Sequence, residues 1–163
     1  MIVTTIVADP SFLGALLGAI ITGLIAIRVM WLQTNYDKKK KLKEDNRNFL
    51  KVLTLIESKG RSFYSLGKNI VDLNYDENHI TLGSLESMEK IRQAISMVDH
   101  NHVPQEYYED FINFQSFLET LLKNIKAGIN KEHGSEGNSE MLETFNNDIN
   151  SFVETKQKLQ KKI

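Results

Sequence analysis

The chain of 163 residues has no cysteine. Disulfides, thiolate zinc sites and a cysteine nucleophile are thereby excluded. It also lacks a phosphate-cradling Gly-Lys-Ser or Gly-Lys-Thr, an HExxH pair and a GxSxG elbow, so the commonest nucleotide-binding, metalloprotease and serine-hydrolase signatures are missing. Excess positive charge is missing too: 20 lysines and arginines face 21 aspartates and glutamates, which argues against a dedicated nucleic-acid binder. No strand pattern of any length competes with helical periodicity.

What is present is an eighteen-residue stretch without formal charge, from Pro10 to Ile27, followed closely by Lys38, Lys39, Lys40, Lys41 and Lys43. At about 1.5 Å per residue, residues 12–32 make a helix of roughly 30 Å, the thickness of a bilayer's hydrocarbon core. Positive charge sets the orientation, because short Lys- and Arg-rich segments stay cytoplasmic. Before the span only the α-amino group is positive, offset by Asp9. After it come Arg28 and the five lysines. Residues 1–11 are therefore expected outside, 12–32 in the membrane, 33–45 as a basic juxtamembrane segment and 46–163 as a cytoplasmic helical domain. Trp31 and Tyr36 suit the inner interface, where Arg28 and the lysines meet lipid headgroups. A cleaved signal peptide fits poorly, for want of a basic n-region and because the following charge opposes translocation.

Helical stripes fill the remainder, and the expected fold is all-α: one N-terminal transmembrane helix and a bundle of about four helices. Leu42, Phe49, Leu53, Ile56 and Phe63 follow four-then-three spacing, with Asn46 and Gly60 in the two remaining positions. A first helix is expected over 36–57, with Gly60 and Gly67 loosening its continuation. Residues 75–83 look like a connection, after which Ser84 caps a helix bearing Leu85, Met88, Ile91, Ile95 and Val98. Pro104 suits the first turn of a third helix, whose stripe is Tyr107, Phe111, Phe114, Leu118, Leu121 and Ile125. Gly128 and a flexible loop near 131–139 end it. Ser139 opens a fourth helix with Leu142, Phe145, Ile149, Phe152, Leu159 and Ile163, Lys156 standing in the one missing position. An up-and-down bundle satisfies several such stripes at once; a coiled-coil homodimer is the rival.

Three sets of residues are candidates for recognition. Gly14, Gly18, Thr22 and Ala26 repeat every fourth position along one face of the span, allowing close approach of a second membrane helix and hence a homo-oligomer. Arg28, Lys38, Lys39, Lys40, Lys41 and Lys43 are expected at lipid headgroups, and the basic tail through Lys156, Lys158, Lys161 and Lys162 would join them if the last helix returns toward the membrane. Tyr108 and Phe117 lie beside the inward stripe of the third helix and are candidates for a protein interface. No catalytic, cofactor or metal residue is identified. His100 and His102 beside Asp99 point to different faces of a helix, and His79 and His133 fall in polar connections.

The leader ending in Asp9-Pro10, the span 12–32, the cluster from Lys38 to Lys43 and the Lys-, Asn- and Ile-rich helical remainder together resemble, in layout, the small membrane-anchored superinfection-exclusion proteins of prophages in lactococci and related Gram-positive bacteria. The resemblance implies a protein of the host cytoplasmic membrane that prevents DNA injection by related phages, through contact with a phage or host injection component and without enzymatic activity. It implies no catalytic motif. A holin-like permeabiliser and a membrane-tethered scaffold of a secretion, conjugation or division complex are the alternatives.

Overall fold

A computed structural model of the chain describes residues 10–76, 79–131 and 137–161. The leader through Asp9, Glu77, the centre of the expected 131–139 loop with His133, and the terminal Lys162 and Ile163 lie outside them. Among the described residues every regular element is helical: α1 (Pro10–Asp72), α2 (His79–Ser96), a 3-10 turn (His100–His102), α3 (Gln105–Ile129) and α4 (Asn138–Gln160). The chain divides into two compact units, Met1–Lys43 and Glu44–Ile163.

The first unit consists, where described, of the N-terminal part of α1. Every side chain from Ser11 to Thr34 is exposed, including Leu24 at 63% and Trp31 at 64%. This segment is long and apolar enough to cross a membrane. The Thr22 hydroxyl, which would be costly in hydrocarbon, is satisfied within the helix by donating to the Gly18 carbonyl at 2.8 Å, and just past residue 32 Thr34 Oγ1 donates likewise to that of Met30 at 2.8 Å.

The second unit is a helical bundle. Its core follows the stripes read from the sequence: Phe49, Leu53, Ile56, Phe63 and Ile70 from α1; Met88, Ile91 and Ile95 from α2; Phe111, Phe114, Leu118, Leu121 and Ile125 from α3; Leu142, Phe145, Ile149 and Phe152 from α4. Helix α3 packs against both α2 and α4. Helices α1 and α4 run antiparallel in a register marked by paired side chains. Lys156 meets Glu57, Ile149 meets Gly60, the Tyr64 phenol donates to Glu143 at 2.8 Å, and Leu142 meets Gly67. Between α2 and α3, Gln115 Nε2 donates to the Ile95 carbonyl at 2.9 Å, and Lys126 pairs with Glu89.

Several boundaries differ from the expectation. Gly60 and Gly67 do not break the first helix; they are buried inside α1, where Ile149 and Leu142 fill the space a side chain would take. Leu42, assigned to the core stripe, is 61% exposed and belongs to the first unit, not to the bundle. The expected connection over 75–83 is shorter, because α2 already begins at His79. Ser84 is no cap but a buried residue within α2, which also buries Thr81. The first turns of this helix face the core with small hydroxylated residues, so their apolar period is invisible until Leu85. Val98 lies beyond the end of α2, and Pro104 sits at the N-cap of α3, just outside its first turn. Gly128 is buried within α3, which continues to Ile129.

Helix α4 starts one residue early, at Asn138, after Gly137 at φ 87°, a left-handed backbone that favours glycine. Asn138 is buried and donates to the Tyr75 phenol at 2.8 Å and to the Asn124 carbonyl at 3.4 Å. This ties the start of α4 to the turn that ends α1, where Asn74 and Tyr75 also adopt left-handed φ of 51° and 56°.

Candidate functional site

In the first unit, Gly14, Gly18, Thr22 and Ala26 lie one above another along α1, as the i, i+4 spacing requires. A Cβ built at Gly14 or Gly18 would meet nothing within 4 Å, in contrast to Gly60 and Gly67. The face is therefore open, and nothing in the fold of this chain needs those glycines to be small. Arg28, Lys38, Lys39, Lys40, Lys41 and Lys43 are all exposed, and none enters an ion pair among the described residues. Trp31 and Tyr36 lie between Arg28 and this lysine run and are likewise exposed.

The paired aromatic candidates on α3 have different surroundings. Tyr108 is half-buried and packs edge-on to His100, whose Nδ1 lies 3.2 Å from the phenol oxygen. The His100 ring also meets Phe111 edge-on at 5.9 Å, so this exposed ring lies against α3. Asp99 caps the short turn by accepting from the Asn101 amide at 2.9 Å, and His102 Nε2 stands 4.0 Å from its other oxygen. Among the described residues no three His, Asp or Glu side chains gather as a metal site. Phe117, also half-buried, lies 6.3 Å from Phe145, centroid to centroid, and lines an open groove between α3 and α4.

That groove, about 440 Å³ in volume, is the feature that sequence reasoning missed. Four aromatic side chains border it, Phe114 and Phe152 buried and Tyr107 and Phe117 half-buried. Phe114 stacks on Phe145 at 5.1 Å and meets Phe152 edge-on at 5.3 Å, while Tyr107 stacks on Phe49 of α1 at 5.0 Å. Two carboxylates face it, Asp110 from α3 and Asp148 from α4. Partial burial of Asp148 raises its pKa above the ordinary carboxylate value, and the negative charge of Asp110 adds to the effect. The sequence held one signal: Asp148 immediately precedes the core residue Ile149, which places a carboxylate at the edge of an apolar stripe.

Compared with protein-family models, curated proteins and solved structures, the chain matches none.

Proposed function

We propose that the chain is a single-pass protein of a bacterial cytoplasmic membrane, its amino terminus outside and its bundle inside, and that it acts by contact, as a superinfection-exclusion protein that stops the DNA of related phages from crossing that membrane. The observation that carries the anchor is the exposure of every side chain over residues 11–34 of so apolar a helix. An apolar surface of this extent, uncovered by its own chain, calls for lipid or a partner. The orientation rests on the exposed, unpaired lysines that follow the span, each contributing on the order of 1 kcal/mol at an anionic leaflet. The exclusion activity rests on the resemblance in layout described above. Confinement to a membrane raises effective concentration, so a weak contact with an injection component suffices for blocking.

The test is expression in a phage-sensitive host. Normal adsorption with phage DNA remaining outside is the expected result, together with an unchanged membrane potential. Unchanged infection by several related phages would overturn the exclusion reading, and a collapse of potential on expression would mark a holin-like permeabiliser instead.

A further inference from the structure

The lysines that follow the span are consecutive, and that spacing decides what surface they make. Each helical residue turns about 100° from the last, so Lys38, Lys39, Lys40 and Lys41 point in four directions around α1, and Lys43 falls between the directions of Lys39 and Lys40. No arc wider than about 100° lacks a cation. The segment has no apolar face to set against them, since its two large apolar side chains, Tyr36 and Leu42, are exposed and lie about 120° apart. All five lysines are exposed, and none is in an ion pair among the described residues. Carboxylates are nevertheless close in sequence: Asp37 stands one turn before Lys41, and Glu44 and Asp45 stand one turn after Lys40 and Lys41. At the same spacing in α2, Glu86 and Lys90 pair at 2.6 Å. Helical side chains lean toward the N-terminus, so an ammonium that precedes a carboxylate leans away from it.

In the membrane anchor proposed above, on which this inference rests, the N-terminal side is the membrane side. Lys38 stands about 9 Å of helix rise beyond residue 32, and Lys43 about 7.5 Å further, a span comparable with the headgroup layer on one face of a bilayer. Side chains that lean back from this level reach lipid phosphates all round the helix. A helix lying along the surface instead needs its cations on one face and apolar residues on the other. A parallel second copy would set lysine against lysine whichever face it offered. We propose that Lys38, Lys39, Lys40, Lys41 and Lys43 form a collar around a helix that leaves the membrane steeply, and that the collar gathers a shell of anionic phospholipids on every side rather than binding one lipid at one face.

The test uses full-length protein reconstituted into phosphatidylcholine bilayers with a trace of chain-spin-labelled phosphatidylglycerol or phosphatidylcholine. Electron paramagnetic resonance separates lipid held at the protein surface from bulk lipid. Phosphatidylglycerol should be preferred by at least about twofold, and the preference should vanish near 1 M salt, where the Debye length is about 3 Å. Lys38→Gln with Lys41→Gln strips one side of the collar, and Lys39→Gln with Lys43→Gln strips the other. The two double variants should lower the preference by similar factors, and glutamine at all five positions should abolish it. These exposed positions lie outside the core, and glutamine keeps the helix propensity of lysine, so the fold is not at stake. Equal retention of the two lipids by the parent protein would overturn the collar. So would a preference that one double variant abolishes and the other leaves intact, which marks a single-face site. In both cases held phosphatidylcholine still shows the span in lipid, whereas absence of any held lipid with either label would refute the anchor itself.

Discussion

Lys156 Nζ lies 2.8 Å from Glu57 Oε2, joining two helices across 99 positions of sequence. Lysine interrupts an otherwise apolar heptad stripe of α4 because a carboxylate of α1 stands opposite. The pair is largely covered, with the Lys156 side chain 18% and that of Glu57 30% exposed.

The hydrogen bond from Lys156 holds the Glu57 carboxyl below its ordinary value of 4.5. A depressed pKa in the fold means that the ion pair stabilises fully above that ordinary value and ceases to do so as pH falls through the lower, folded one. Glu57→Gln should therefore cost about 0.5–1 kcal/mol at pH 7, with the difference from the parent shrinking as the pH is taken well below 4.5. Thermal unfolding of the full-length protein in detergent at a series of pH values measures this. A difference that stays constant with pH would show that the glutamate acts by packing alone.

Asp148 carries the opposite sign. Burial, then the charge of Asp110, raises its pKa above the ordinary 3.8, so the fold is penalised by ionisation and loses stability as pH rises through the interval above 3.8. Asp148→Asn should raise stability near pH 7 by roughly 0.5–1 kcal/mol and by progressively less toward pH 3.8, the reverse of the Glu57 slope. The same melting series checks it. Destabilisation at neutral pH would mean that the carboxylate makes a favourable contact in the folded protein.

Much of the bundle was legible because its core obeys one rule: apolar side chains at four-three spacing. That rule identifies Phe49 to Phe63 on α1, Phe111 to Ile125 on α3 and Leu142 to Phe152 on α4, all of which enter the core. It fails where the buried residue is not apolar. Thr81 and Ser84 hid the start of α2, and Gly60 and Gly67 looked like breaks because a missing side chain reads locally as lost helix propensity. The partner that fills the vacated space belongs to another helix. The groove was hidden for a related reason: Asp110 and Asp148 become neighbours only once α3 and α4 are in register.

The buried glycines divide by what a methyl group would strike. At Gly60 a Cβ would lie 2.9 Å from Cγ1 of Ile149, an atom near the backbone of a β-branched residue with little freedom to retreat. At Gly67 the first contact is Leu142 Cδ2 at 2.8 Å, the far end of a flexible chain. Alanine gains about 1 kcal/mol of helix propensity at either site, whereas overpacking costs about 1–3 kcal/mol where the neighbour is stiff. Gly60→Ala should destabilise by roughly 1–2 kcal/mol and Gly67→Ala by little or nothing. Ile149→Ala, combined with Gly60→Ala, should cost less than the two changes summed, a coupling that a double-mutant cycle reads directly. Strict additivity would show that the close approach carries no energetic weight.

At Gly14 and Gly18 the same construction meets open space, so the fold of this chain is indifferent to what stands there. That makes the pair a clean probe of the outside of the span. Leucine at both positions adds apolar area and favours insertion, while filling the face on which Gly14, Gly18, Thr22 and Ala26 would admit a second helix. The double variant Gly14→Leu, Gly18→Leu should remain in the membrane fraction and keep the melting temperature of the bundle. If the face meets a partner, protection against phage should fall by about tenfold or more in plating efficiency, since bulky side chains remove the close backbone approach on which such packing depends. Alkaline extraction of membranes checks insertion and plaque counts check activity. Full protection with both leucines in place would reduce the span to a tether and move the search for a recognition surface to the bundle.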